Sequence, residues 1–334
     1  MNVLLLLSAL AAPGSPTPDA ADIDRQTILF IGDSITYAGH YVDRVDLAYR
    51  LQAAKAGTLP PDVLNIGLGS ETVCGLTEPG HPFPRPNVHS RLKRALARIK
   101  PDLVYACYGM NDGIYQPFSE ERFECYAEGM RTLVRDVLAT GAELVVLTPP
   151  PFDAKGRRDN NKPLITAAQF AAGLPGLYDG YDDVLARYAD FVRSLPTDPK
   201  FSDRPLSIID TRTPLLAATI EGRRTNPTYT LTPDGIHPRD TGHAIIAAAI
   251  LQARSLPSLS HVASETRKLI RHRSTLLRDA WLTAIGHDRP GTAAGRPLLK
   301  ALLEAASIDQ ALRAELQNPG EPRTAAMGRP TVLP

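Results

Sequence analysis

The chain of 334 residues has only three cysteines, an odd number that cannot all pair with one another. Cys107 falls inside an apolar, strand-like run and Cys125 on the helical stretch after it, the setting of buried free thiols that pack as small hydrophobes. None of the three stands beside an obvious base, which argues against a cysteine nucleophile. Metal-ligand spacings are missing as well: His237 and His243 are near neighbours in sequence, but no His, Cys and carboxylate set is spaced to hold an ion. Charge of one sign is missing too. The 37 Lys and Arg nearly balance 36 Asp and Glu, and a net charge of +1 gives no global field to attract nucleic acid or an anionic surface. Long apolar runs are absent. Val3 to Ala12 is a stretch of ten residues, too short to span a bilayer. It reads as the core of an export signal within residues 1–20, with Ala9-Leu10-Ala11 as a small-x-small cleavage site, although no Lys or Arg precedes it. A secreted or periplasmic protein is the resulting expectation. No repeat period is visible. With 43% hydrophobic and 22% charged residues, the chain can bury a sizeable core as one large domain plus an appendage.

Five short apolar, β-branched runs read as strands: 27–31, 62–66, 103–108, 143–147 and 206–210. Helical stretches near 40–55, 88–99, 119–139, 181–194 and 241–253 alternate with them. This alternation predicts an α/β fold with a parallel sheet covered on both faces. Five strands suit the order 2-1-3-4-5, which sets strands one and three side by side at the topological switch point. The domain so defined covers residues 25–254. Beyond it, Leu269, Ile270, Leu276, Leu277, Trp281 and Ile285 recur at helical spacing, and a second helical stretch runs from Pro297 to about Leu316. This extension, 255–317, packs on the core, caps the site or forms a dimer contact. Residues 318–334 read as a disordered tail.

Three segments carry chemistry. Ile31-Gly32-Asp33-Ser34 puts a serine where strand one ends, at the sheet edge where ligands bind in open parallel sheets. Ser34 is either a nucleophile or a helix N-cap. Asp234-Gly235-Ile236-His237 places an acid three residues before a histidine in a Pro/Gly-rich loop. A hydroxyl needs a neutral imidazole within hydrogen-bond reach, and the imidazole needs an acceptor to set its tautomer. One turn holds both, though an ordinary loop does so as well. After strand three, Gly109-Met110-Asn111-Asp112-Gly113 offers a side-chain amide for the oxyanion of an acyl-transfer intermediate, or simply a turn.

In this order, each after a strand, Gly-Asp-Ser, Gly-Met-Asn-Asp and Asp-Gly-Ile-His resemble the SGNH/GDSL hydrolase superfamily. The resemblance implies a three-layer α/β/α flavodoxin-like fold and a serine ester hydrolase that uses no cofactor and no metal. Carried over position by position, it makes Ser34 the nucleophile, His237 the base and Asp234 its orienting acid. Ser34 N–H and Asn111 become oxyanion donors. One block departs from the family form. In Asn65-Ile66-Gly67-Leu68-Gly69-Ser70, the position of the usual oxyanion-hole glycine holds Ser70, with Gly69 the alternative donor if the loop is shifted by one. Asp33, Tyr37, Glu71 and Tyr108 flank these segments and are expected to touch substrate, with Thr72 and Met110 beside them. The basic residues Lys155, Arg157, Arg158 and Lys162 lie on a long loop, 149–180, suited to an acidic sugar or phosphate or simply to solvent. O-Deacetylation of a carbohydrate is the leading expected reaction. A lipid or thioester acylhydrolase, an acyltransferase and a non-catalytic carbohydrate-binding module are the alternatives.

Overall fold

The structure is a computed structural model and describes residues 25–259 and 262–317. The expected export signal and the expected disordered tail lie outside the described residues. Strands β1 (Thr27–Gly32), β2 (Asp62–Asn65), β3 (Leu103–Cys107), β4 (Glu143–Leu147) and β5 (Leu206–Ile209) form one sheet in the order β2-β1-β3-β4-β5. All four pairings are parallel. The expected α/β fold and strand order are therefore present. Ile28, Leu29, Phe30 and Ile31 are wholly buried, as are Val104, Tyr105 and Ala106. Uninterrupted apolar strands of this kind follow from helices covering both faces of the sheet.

In chain order the helices are α1 (Ser34–Ala38), α2 (His40–Ala56), α3 (Leu92–Ile99), α4 (Glu120–Leu138), α5 (Ala154–Asp159), α6 (Ala167–Ala171), α7 (Tyr181–Ser194), α8 (Arg212–Thr225), α9 (Asp240–Ala253), α10 (Ser264–Ile285) and α11 (Leu298–Gln317). Four of them were not anticipated. Helices α1, α5 and α6 are one to two turns long, below the length at which periodicity can be read. Helix α8 carries Pro214 in its first turn, where proline is tolerated, and its apolar face is weakly marked. The first three residues of the expected 88–99 helix are a 3₁₀ turn, Val88–Ser90, capped by the Asn87 side chain. Cys74, Cys107 and Cys125 are all free thiols, and burial raises the Cys107 thiol well above its usual range. Among the described residues, no helix is long and apolar enough to cross a membrane.

The two helices after residue 254 pack on each other and on α2 and β2. β2 is an edge strand, and an uncovered edge leaves backbone groups open to wrong partners. Arg273 of α10 donates to the Val63 carbonyl at 3.1 Å and pairs with Asp62, so the extension seals that edge with charge. The Arg273 guanidinium is also 2.7 Å from Asp309 of α11, which pairs with Arg50 at 2.8 Å; Arg50 in turn holds Asp46 at 2.8 Å. Arg50, Arg273, Asp46 and Asp309 are all buried. Buried ions are tolerated only when paired, so this cluster fixes how the extension docks more than it stabilises the fold. Removing one member leaves uncompensated charge. Arg273→Met should lower stability by about 3–5 kcal/mol in denaturant unfolding, and a loss below about 1 kcal/mol would mean that the cluster does not clamp the extension.

Candidate active site

Ser34 is the first residue of α1, and Asp33 caps that helix by accepting from Ile35 N–H at 2.9 Å. The cap role is thus filled by Asp33, which leaves the half-buried Ser34 hydroxyl uncommitted to the helix. It is committed elsewhere. Ser34 Oγ lies 2.8 Å from His237 Nε2, across 203 residues of sequence. His237 Nδ1 lies 2.6 Å from Asp234 Oδ2, while the other Asp234 oxygen accepts the backbone N–H groups of Ile236 and His237 at 3.0 and 2.8 Å. Arg157 donates to the Asp234 carbonyl at 2.7 Å and steadies the loop from outside.

The protonation logic follows from these contacts. The Asp234 hydrogen bond raises the His237 pKa above 6.5, against the opposing effect of burial. Burial works against an ionised Asp234, but the hydrogen bonds from His237 and the two amides hold its carboxyl well below the usual range. An ionised Asp234 keeps the proton on Nδ1 and leaves Nε2 free to accept from Ser34. A serine hydroxyl so placed can lose its proton as it attacks an electrophile.

Two further loops, after β2 and β3, flank this series. Asn111 is buried, with Oδ1 accepting from Tyr115 OH at 2.8 Å and Nδ2 donating to Glu71 O at 3.1 Å. That leaves one amide hydrogen unspent in a fixed orientation. The loop after β2 is tied to α1 by Asn65, which donates to Thr36 O at 2.7 Å and accepts from Gly67 N–H at 2.8 Å. Ser70 has φ 65°, the left-handed region that favours glycine, so it occupies the conformation for which the usual family residue is suited. The N–H groups of Gly69 and Ser70 donate to no backbone carbonyl among the described residues.

The expected substrate contacts fare differently. Glu71 is fully buried, held bidentate by Arg91 at 2.6 Å and by Tyr108 OH at 2.7 Å. Glu71 and Tyr108 are therefore held in a buried, paired cluster rather than exposed at the rim, because a buried carboxylate must be paired. Asp33, Thr72 and Met110 are buried too. Burial pushes Asp33 up to about 7. Tyr37 remains partly exposed, with the Arg278 guanidinium 4.0 Å over its ring. Of the basic loop, Lys155 and Arg158 are paired with Asp159 and Asp179, as solvated charges are, and only Arg157 reaches the site. Sequence reading missed Tyr115, which reaches Asn111 four residues back from a left-handed turn, and Arg91, which pairs with Glu71 across 20 residues; it named Asn65 only as the start of the block after strand two.

A parallel α/β/α sheet carries Ser34, His237 and Asp234 in hydrogen-bonded series, with Asn111 in the turn after β3. The model of the GDSL-like lipase/acylhydrolase family matches residues 30–245, well over half of the chain, and the chain belongs to that family. No curated protein sequence matches it. Similar solved structures include BT4096, a gut microbial diltiazem-metabolizing enzyme (18% identity, TM-score 0.48, covering 69% of this chain and 47% of that one). Others are the acetylxylan esterase Axe2 from Geobacillus stearothermophilus (22%, 0.47, 71% and 97%) and the acetyl xylan esterase AlAXEase (19%, 0.48, 68% and 98%). The chain spans about half the length of BT4096.

The left-handed Ser70 makes a local prediction. Ser70→Gly should leave stability within about 1 kcal/mol, whereas the β-branched Ser70→Val should cost about 1–3 kcal/mol in denaturant unfolding. Equal effects would mean that the loop does not need that conformation.

Proposed function

We propose that the protein hydrolyses carboxylic esters through Ser34, His237 and Asp234, and that its substrates are short acyl esters of polar alcohols, O-acetylated carbohydrates first among them. The observation that carries this reading is the unbroken series Ser34–His237–Asp234 at 2.8 and 2.6 Å. His237 takes the Ser34 proton as Oγ attacks the acyl carbonyl. The new imidazolium is held by Asp234, the negative oxygen by Asn111 Nδ2 and by the N–H groups of Ser34 and Ser70, with Gly69 the alternative to Ser70. Collapse of the intermediate expels the alcohol, which takes the proton from His237. Water, activated by the same imidazole, then releases the acid and restores Ser34. The substrate class is supported by the openness of the rim. The His237 side chain is 49% exposed, and its ring nitrogens are engaged by the Ser34 hydroxyl and the Asp234 carboxylate.

On p-nitrophenyl acetate, Ser34→Ala should reduce kcat by on the order of 10⁶-fold, and Asn111→Ala by about 10²–10³-fold. No difference between the wild type and Ser34→Ala would overturn the proposal. Release of acetate from acetylated oligosaccharides should exceed release of longer acids from matched esters. A reversed order would shift the substrate class to lipid.

The pH dependence has a definite sign. Only neutral imidazole accepts a proton, and the Asp234 contact raises the His237 pKa, so kcat/KM should rise with pH to a plateau with its half-maximum above 6.5. Asp234→Asn removes that contact and should move the half-maximum down while lowering the plateau by about 10³–10⁴-fold. An unmoved half-maximum would show that another group controls the limb.

A further inference from the structure

The turn that joins α10 to α11 brings an arginine of the extension to the active-site loop. Arg289 lies against Gly69, the residue before Ser70. A methyl group at Gly69 would stand 3.0 Å from Arg289 Nε and 3.4 Å from Cζ and Nη2, so the guanidinium rests directly on this glycine. The ring of Phe83, from the long loop after β2, sits 5.4 Å from the same guanidinium. Thus Gly69 and Phe83, both from the long connection after β2, meet Arg289 from the far end of the chain on the β2 side of the Ser34 rim.

The guanidinium is only partly used. Nη1 donates to Thr292 Oγ1 at 3.1 Å and to Pro290 O at 3.4 Å. Nε is sealed from solvent and has no hydrogen-bond partner, and among the described residues no carboxylate pairs with Arg289. A sealed donor left without an acceptor is costly, of the order of 1–3 kcal/mol. Neighbouring arginines are differently placed. Arg85 is spent on Glu78, Arg91 on Glu71, and Arg278 on Asp279 and the Tyr37 carbonyl. Nε and Nη2 form the edge of a guanidinium that grips a carboxylate with two parallel hydrogen bonds. In Arg289 that edge is turned to Gly69 and Nε is closed off there, so the donor left for a ligand is Nη2, beside the loop proposed to hold the oxyanion.

We propose that Arg289 is a specificity-determining residue that binds a carboxylate on the substrate beside the scissile ester, so that the preferred substrates are esters of acidic alcohols such as O-acetylated uronic acid units. The inference rests on the esterase reading above and names the substrate class of that site. It also gives the extension a second role: the turn that follows the helix sealing the sheet edge through Arg273 presents a recognition group at the rim.

A matched pair of probes tests it: 4-acetoxybenzoate, which carries a carboxylate, and its neutral methyl ester. The kcat/KM ratio of acid to methyl ester should fall at least tenfold in Arg289→Ala, chiefly through KM, and should recover only in part in Arg289→Lys, which keeps the charge but not the planar guanidinium. In the wild type the ratio should also decline as salt is raised. A ratio unchanged by Arg289→Ala, whether both rates hold or both fall together, would overturn the inference, since a purely structural arginine would affect the two probes alike. Binding to the Ser34→Ala protein, which needs no turnover, separates this inference from the esterase reading. Tighter binding of the acid than of its methyl ester, lost on adding Arg289→Ala, would support the Arg289 site even if the wild type cleaved neither probe. Equal binding of the two would reject it even if both were cleaved.

Discussion

Parallel strands all end on one side of a sheet, so the pairing of β1 with β3, with Gly32 opposite Cys107, delivers the turn at Ser34 and the turn at Asn111 to a single rim. That pairing is tight where it matters. A Cβ on Gly32 would meet Thr36 Oγ1 at 2.2 Å and the Cys107 carbonyl at 2.7 Å, so the strand can turn into α1 at this point only because its last residue has no side chain. Asn65 at the end of β2 then ties the third loop to α1. The His237 loop arrives last in sequence, just before α9, and completes the hydrogen-bonded series with Ser34.

The carboxylates around this rim are sorted by burial. Asp33, Asp112 and Glu71 are all buried, and burial raises the pKa of each, Asp33 to about 7 and Asp112 to about 6. Glu71 is neutralised as a charge by Arg91, its bidentate partner. Asp234 differs because it is partly exposed and receives three hydrogen bonds from its own turn. It is the carboxylate best able to stay ionised next to an imidazolium, and it is the one in contact with His237. Environment rather than residue type divides these acids into structural and chemical roles.

The elements legible in the sequence were those with a local signature. Apolar β-branched runs marked all five strands, and their alternation with helices suited the order 2-1-3-4-5, which the sheet has. Ser34, Asn111, Asp234 and His237 stood out because each follows a strand or occupies a Gly/Pro-rich turn, and the strand order alone brings the first two to one edge. What stayed hidden depends on contacts between distant residues. Glu71 and Tyr108 flank the site in sequence, yet Arg91 draws both into the core. Tyr115 steadies Asn111 from a left-handed turn with φ 55° that local pattern does not announce. The docking of the extension through Arg273 and Asp309 is likewise invisible, since both residues read as solvent-facing charges on amphipathic helices.

The central claim is that the hydroxyl of Ser34 is made nucleophilic by His237. Covalent trapping with a fluorophosphonate, followed by mass spectrometry of the peptides, tests it most directly. The account predicts one adduct, on Ser34, formed quickly in the wild type and at least a hundredfold more slowly in His237→Ala. An adduct on another residue, or labelling of Ser34 at the same rate without His237, would contradict it.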